Sequence, residues 1–69
     1  MEIKKGKYRH FKGGEYEVLG MARHSETGED MVIYRALYDE GTVWVRPAAM
    51  WNDTVTRDGQ TYTRFTPIP

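Results

Sequence analysis

The chain has no cysteine among its 69 residues, so no disulfide can staple it and no thiol can bind a metal. That composition suits a reducing cytoplasm, the expected location, and weighs against a disulfide-dense secreted scaffold. It also lacks an excess of either charge: ten Lys and Arg balance ten Asp and Glu. A strongly basic nucleic-acid binder is thereby excluded, although a local basic patch is not. The start, Met1 to Gly6, holds no apolar signal core, and no stretch is long and apolar enough to span a bilayer, so neither secretion nor membrane insertion is expected. Helical periodicity is missing over any useful window, as are internal repeats, low-complexity runs and linkers. No nucleophile elbow and no glycine-rich phosphate loop occurs. One domain, residues 1–69, is the only sensible division. A chain this short buries roughly 60% of its unfolded surface, and its core supplies no more than about 3–5 kcal/mol.

What is present is a long β-hairpin, Tyr16 to Tyr38, more apolar than the rest of the chain. Ser25-Glu26-Thr27-Gly28 fits a type I turn with Gly28 left-handed, in a three-residue loop with a bulge. That register sets Ser25 opposite Glu29 and Ala22 opposite Val32. Side chains alternate along a strand, so Tyr16, Val18, Gly20 and Ala22 share one face, and Val32, Tyr34, Ala36 and Tyr38 share another. Neither set carries a charge, and the bulged register joins them as the expected core side. The opposite face mixes Glu17, Arg23 and Arg35 with Leu19, Met21, Met31, Ile33 and Leu37. Gly20 marks a bend or a close approach in mid-strand.

The remaining chain reads as short strands separated by turns. Gly6 to Phe11 alternates, with Tyr8 and His10 on one side and Lys7 and Arg9 on the other. Residues 1–5 are polar and expected to be loose. Lys12-Gly13-Gly14 and Asp39-Glu40-Gly41 are turns. Thr42 to Arg46 is a strand that Pro47 ends. Ala48 to Trp51 is too short for an independent α-helix; it forms a single 3₁₀ or α turn that plugs Met50 or Trp51 into the end of a barrel. Asp58-Gly59 is a type I′ hairpin signal between Thr54–Arg57 and Gln60–Phe65, and Thr66 to Pro69 is an extended end. The expected fold is all-β: a small SH3-like barrel of five or six antiparallel strands, whose closure covers the hairpin's second face and removes open edges.

The ordered pattern Gly6-x-Tyr8-x-His10-Phe11-Lys12-Gly13, Tyr16-x-Val18, Ala22-x-His24-Ser25-Glu26-Thr27, Val32-Ile33-Tyr34-x-x-Leu37-Tyr38 and Trp44-x-Arg46-Pro47-x-x-Met50-Trp51 resembles a bacterial family known as Domain of Unknown Function sixteen fifty-three. The likeness runs from Gly6 to Trp51. Family members often carry Phe where this chain has Trp51, and Pro-Arg-Phe in place of Thr63-Arg64-Phe65. The resemblance implies a small bacterial cytoplasmic domain with an SH3-like fold, and no assigned activity.

The candidate ligand-binding residues are His10, Lys12, His24, Glu26, Tyr34, Trp44 and Arg46. His10 and His24 are the only histidines, and their spacing does not match a zinc site, which needs three close protein ligands. No metal and no cofactor is expected. Ser25 and His24 are adjacent, so on a strand their side chains diverge rather than forming a nucleophile–base pair; Ser25 is expected to cap the turn. Arg46 shares a face with Trp44 and either stacks there or pairs with Glu26 or Glu17. The expected role is a non-enzymatic binding module using the barrel rim. The alternative is an accessory protein acting through homodimer or partner contact across Leu19, Met21, Ile33 and Leu37, the state in solution being monomer or weak homodimer. A single-stranded nucleic-acid or nucleotide ligand ranks behind these: Lys4, Lys5, Lys7, Arg9 and Lys12 favour it, and the neutral balance does not.

Overall fold

The computed structural model describes residues 2–69. Seven strands form in chain order: β1 (Gly6–His10), β2 (Glu15–Arg23), β3 (Asp30–Ala36), β4 (Val43–Pro47), β5 (Thr54–Arg57), β6 (Gln60–Thr63) and β7 (Phe65–Pro67), with a 3₁₀ turn, Ala48–Met50, between β4 and β5. Five of them make an antiparallel sheet in the order β4-β3-β2-β1-β7, and β5 and β6 form a separate ribbon. The main sheet therefore ends at two edges, β4 and β7, and its ladders do not close into a barrel. Among the described residues no helix is long and apolar enough to cross a membrane.

The hairpin forms as β2 and β3, but its register differs from the expected one. His24 and Glu29 close the loop: the His24 amide donates to the Glu29 carbonyl at 2.9 Å, and the Gly28 amide to the His24 carbonyl at 2.8 Å. Gly28 takes φ 76°, as its turn position requires. Ala22 then pairs with Met31 and Met21 with Val32. A bulge between Val18 and Gly20 restores the expected in-phase faces farther down, where Val18 pairs with Tyr34 and Tyr16 with Ala36. The bend anticipated at Gly20 is this bulge; no atom comes closer than 4.0 Å to a Cβ placed there, so close approach is not its purpose. The bulge moves Met21 to the core side, where it packs on the buried cluster, and leaves Ala22 exposed. Tyr38, expected in the core, is 63% exposed.

The inner face of the sheet carries Tyr8, Val18, Val32 and Phe65, which with Ile3, Ala48 and Trp51 make one buried cluster. Trp51 is the plug, fully buried at 0% exposure, while Met50 points out. Its ring lies flat on Phe65, centroids 3.8 Å apart, and meets Tyr8 edge-on at 5.4 Å. Contrary to the expectation of a loose start, Ile3 joins this core and the Lys4 carbonyl accepts the Tyr8 hydroxyl at 2.8 Å; Met1 lies outside the described residues.

The final segment also departs from expectation. Gln60–Phe65 is not one strand: it breaks at Arg64, and β7 leaves the ribbon to pair with β1, Phe65 opposite His10 and Pro67 opposite Tyr8. Arg64 fixes the break. Its guanidinium reaches both oxygens of Asp53 at 2.6 and 3.2 Å, its amide donates to the Asp53 carbonyl, and its own carbonyl accepts the Phe11 amide. The Asp58-Gly59 turn forms with both residues left-handed, φ 51° and 77°.

Candidate functional site

Strand alternation puts Tyr34, Trp44, Arg46, Tyr16 and His10 on the inner face beside the core, and β1–β7 pairing adds Phe65. Tyr16 is the hub. Its ring centroid lies 5.6 Å from Tyr34, 5.5 Å from Tyr38, 5.7 Å from Phe65 and 6.4 Å from His10. The Tyr16 and Tyr38 hydroxyls share a hydrogen bond of 2.7 Å. Gly14 makes room for this pair, because a Cβ there would stand 3.2 Å from the Tyr38 ring and 3.4 Å from that of Tyr16. Burial, then the Tyr38 hydrogen bond, pushes the Tyr16 phenol up to about 12, so it stays protonated at physiological pH.

Arg46 does not make the salt bridge anticipated with Glu26 or Glu17. Glu17 is held by Arg35 at 2.7 Å across the outer face, and Glu26 lies 3.4 Å from His24. The Arg46 guanidinium instead sits 5.6 Å from the Phe65 ring centre, a cation–π contact. Trp44, its neighbour on that face of β4, is 53% exposed and stands opposite Tyr34 in the ladder. Tyr34, Tyr16 and Tyr38 thus make a run of touching rings, with Trp44 opposite Tyr34 on β4 and the Arg46 guanidinium on neighbouring Phe65.

His10 links this surface to the β1–β2 turn. Its Nδ1 accepts the Lys12 amide at 3.1 Å, bridging strand and turn, and its ring lies 4.6 Å from Phe11 and 5.0 Å from Phe65. Burial lowers its pKa below the usual 6.5, and the charges of Arg64, Arg46 and Lys12 lower it further.

The seven candidates separate into two groups. His10, Tyr34, Trp44 and Arg46 come together, with Lys12 beside them. His24 and Glu26 stand at the other end of the hairpin, roughly 25 Å from Tyr16 along β2 at about 3.3 Å per residue. There they serve the turn: His24 Nδ1 accepts the amides of Glu26 and Thr27 at 3.1 and 3.4 Å. That is the capping role expected of Ser25, whose hydroxyl donates to the Glu26 carboxylate instead. Tyr16, Tyr38 and Phe65 belong to the site and were absent from the candidates, since aromatic residues read as core volume. The charge-free Tyr38 beside the Asp39-Glu40-Gly41 turn was the available signal, because a residue at the end of a strand has little left to cover it. Among the described residues no group of three or more His, Asp or Glu side chains gathers as a metal site.

Comparison with known proteins agrees with the pattern of these residues. A family profile described as "Protein of unknown function (DUF1653)" matches residues 6–67. The chain belongs to this family. A solved structure of a protein belonging to DUF1653 from Bordetella bronchiseptica is 37% identical, with a TM-score of 0.85 over 96% of this chain and 87% of that one. No curated protein matches. Family membership covers both the aromatic surface and β7, and it carries no activity with it.

Proposed function

We propose that this DUF1653 chain is a non-enzymatic binding module of SH3-like type, whose ligand rests on the Trp44–Tyr34–Tyr16–Tyr38 surface with an anionic group on Arg46. The SH3-like reading is supported by an antiparallel sheet wrapped on one core, with a 3₁₀ turn leading into a short ribbon. The observation that carries the function is the exposure of Trp44 on the same face of β4 as Arg46, whose guanidinium makes no ion pair among the described residues, with exposed Tyr38 at the end of the adjoining run of rings. Large aromatics left open next to an unpaired cation suit a flat, anionic partner. A binding role is favoured over chemistry because Ser25 and His24 are both spent on the hairpin turn.

The test uses the Trp51→Phe variant, in which Trp44 is the only tryptophan left. Phenyl phosphate and adenosine monophosphate should shift its emission, and Arg46→Gln should abolish the effect. If neither probe moves Trp44, the reading fails.

A second reading has its own observation. Leu19, Leu37, Val43 and Val45 are 37 to 60% exposed on or beside the outer face, around half-buried Ile33. An apolar patch of this kind marks an interface, and contact through it would make the chain an accessory protein. Sedimentation equilibrium decides: a dimer that Val45→Lys dissociates supports it, and a monomer at high concentration removes it.

A further inference from the structure

We infer that the ligand surface continues past His10 onto a second stacking platform, Phe11 with Tyr62, and that the whole track takes single-stranded nucleic acid. Phe11 lies in the β1–β2 turn and Tyr62 on β6, yet their rings stack at 6.2 Å with 21° between planes. The Arg57 guanidinium sits 5.4 Å and the Lys12 ammonium 5.9 Å from the Phe11 ring centre. This cluster is not core: Tyr62 is 41% exposed, and Lys12 and Arg57 lie in solvent. Neither cation forms an ion pair among the described residues, whereas Arg9, Arg35 and Arg64 all do.

The two platforms are joined. Tyr38, Tyr16, His10, Phe11 and Tyr62 follow one another at ring spacings of 4.6 to 6.4 Å. A cavity of about 320 Å³, bordered by Arg9, Gly13 and Pro67, opens beside Phe11 and has room for an unstacked base. Successive flat groups on aromatic rings, with phosphates on separate cations, are how single strands are held without sequence readout. A compact anion needs one cation; Arg46, Lys12 and Arg57 spread along a track suit a polymer. The inference rests in part on the Trp44 reading, because Arg46 and Tyr16 belong to both.

The test is fluorescence anisotropy of labelled eight-nucleotide poly-dT and poly-rA titrated with the full chain across salt. Three phosphates neutralised predict a slope of log K against log salt of about −2, at about 0.7 per phosphate on a single strand. Arg57→Gln, a solvent-exposed change, should reduce the slope by about 0.7. Tyr62→Ala should weaken binding by about 5- to 150-fold. Absence of salt-dependent binding, a slope that Arg57→Gln leaves alone, or equal binding of polyglutamate overturns the inference. If adenosine monophosphate moves Trp44 while oligonucleotides do not bind, only the nucleic-acid inference is lost. If oligonucleotides bind through Tyr62 and Arg57 with Trp44 unmoved and Arg46→Gln silent, the platform stands and the Trp44 reading falls.

Discussion

Replacing Trp51 by Phe should leave stability within about 1 kcal/mol of the parent, although Trp51 is the largest side chain in the core and has no exposed surface. Two terms oppose. Loss of the five-membered ring forfeits about 0.8 kcal/mol of transfer free energy and leaves at most about 40 Å³ unfilled, costing about 1 kcal/mol more at ~24 cal/mol per Å³. Against this, the Trp51 indole Nε1 is buried with no hydrogen-bond partner among the described residues, and an unsatisfied buried donor costs about 1–3 kcal/mol. Phe keeps a flat ring to stack on Phe65 and removes that donor. Trp51→Ala is the contrasting case. It forfeits about 3–5 kcal/mol, which matches everything a core of this size supplies, so the variant should be unfolded at 25 °C. Urea titration followed by far-UV circular dichroism gives both numbers. A loss above about 2 kcal/mol for Trp51→Phe would refute the reasoning, since it would mean that the indole N–H is satisfied.

Gly14→Ala should disturb the Tyr16–Tyr38 pair more than the fold, because the new methyl meets the Tyr38 ring at 3.2 Å; ultraviolet titration should show the Tyr16 phenol moving down from about 12 toward 10. Stability should also fall on acidification in two windows. His10 has a folded pKa below its unfolded 6.5, so its contribution is present above 6.5 and is lost as pH falls through the folded value. Asp53, lowered by the hydrogen bond from Arg64, keeps its contribution above 3.8 and loses it as pH falls through its own folded value. Urea midpoints measured from pH 8 to 3 should show both steps, with His10→Gln removing the upper and Asp53→Asn the lower; a step unchanged by its variant would refute that assignment.

The elements were legible in the sequence where the signal is local. Gly28, Gly41 and Asp58-Gly59 each punctuate the chain where a turn occurs, and all three glycines take positive φ. The charge-free faces of the hairpin found Val18, Val32, Tyr34 and Ala36 correctly. The pattern could not distinguish Met21 from Ala22, because both are uncharged, and a bulge exchanges them without disturbing the charge partition. Phe65 to Pro67 was illegible for a different reason: its partner, β1, lies almost the whole chain away, and nothing nearby signals that the strand changes sheets at Arg64. The same limit divided the candidate site. His10, Tyr34, Trp44 and Arg46 were gathered by the fold, whereas His24 and Glu26 looked equivalent in sequence until the hairpin's length carried them to its far end.

The seat of β1 between β2 and β7 governs how this chain acquires its structure in time. β1 can zip onto β2 across the short Lys12–Gly14 turn, and β2 onto β3 across Ser25–Gly28, in local steps of microseconds. The β1–β7 ladder must bring Pro67 back to Tyr8, and the loop-closure entropy is spent before any contact returns it. Phe65 arrives only then, and it is the face against which Trp51 stacks. A nascent chain that has not yet exposed Phe65 therefore carries its largest core residue against Tyr8 and Tyr34 alone, without the ring that stacks flat on it. Small β domains rich in such long-range pairings fold in milliseconds to seconds, so this closure, rather than hairpin formation, is expected to limit the rate.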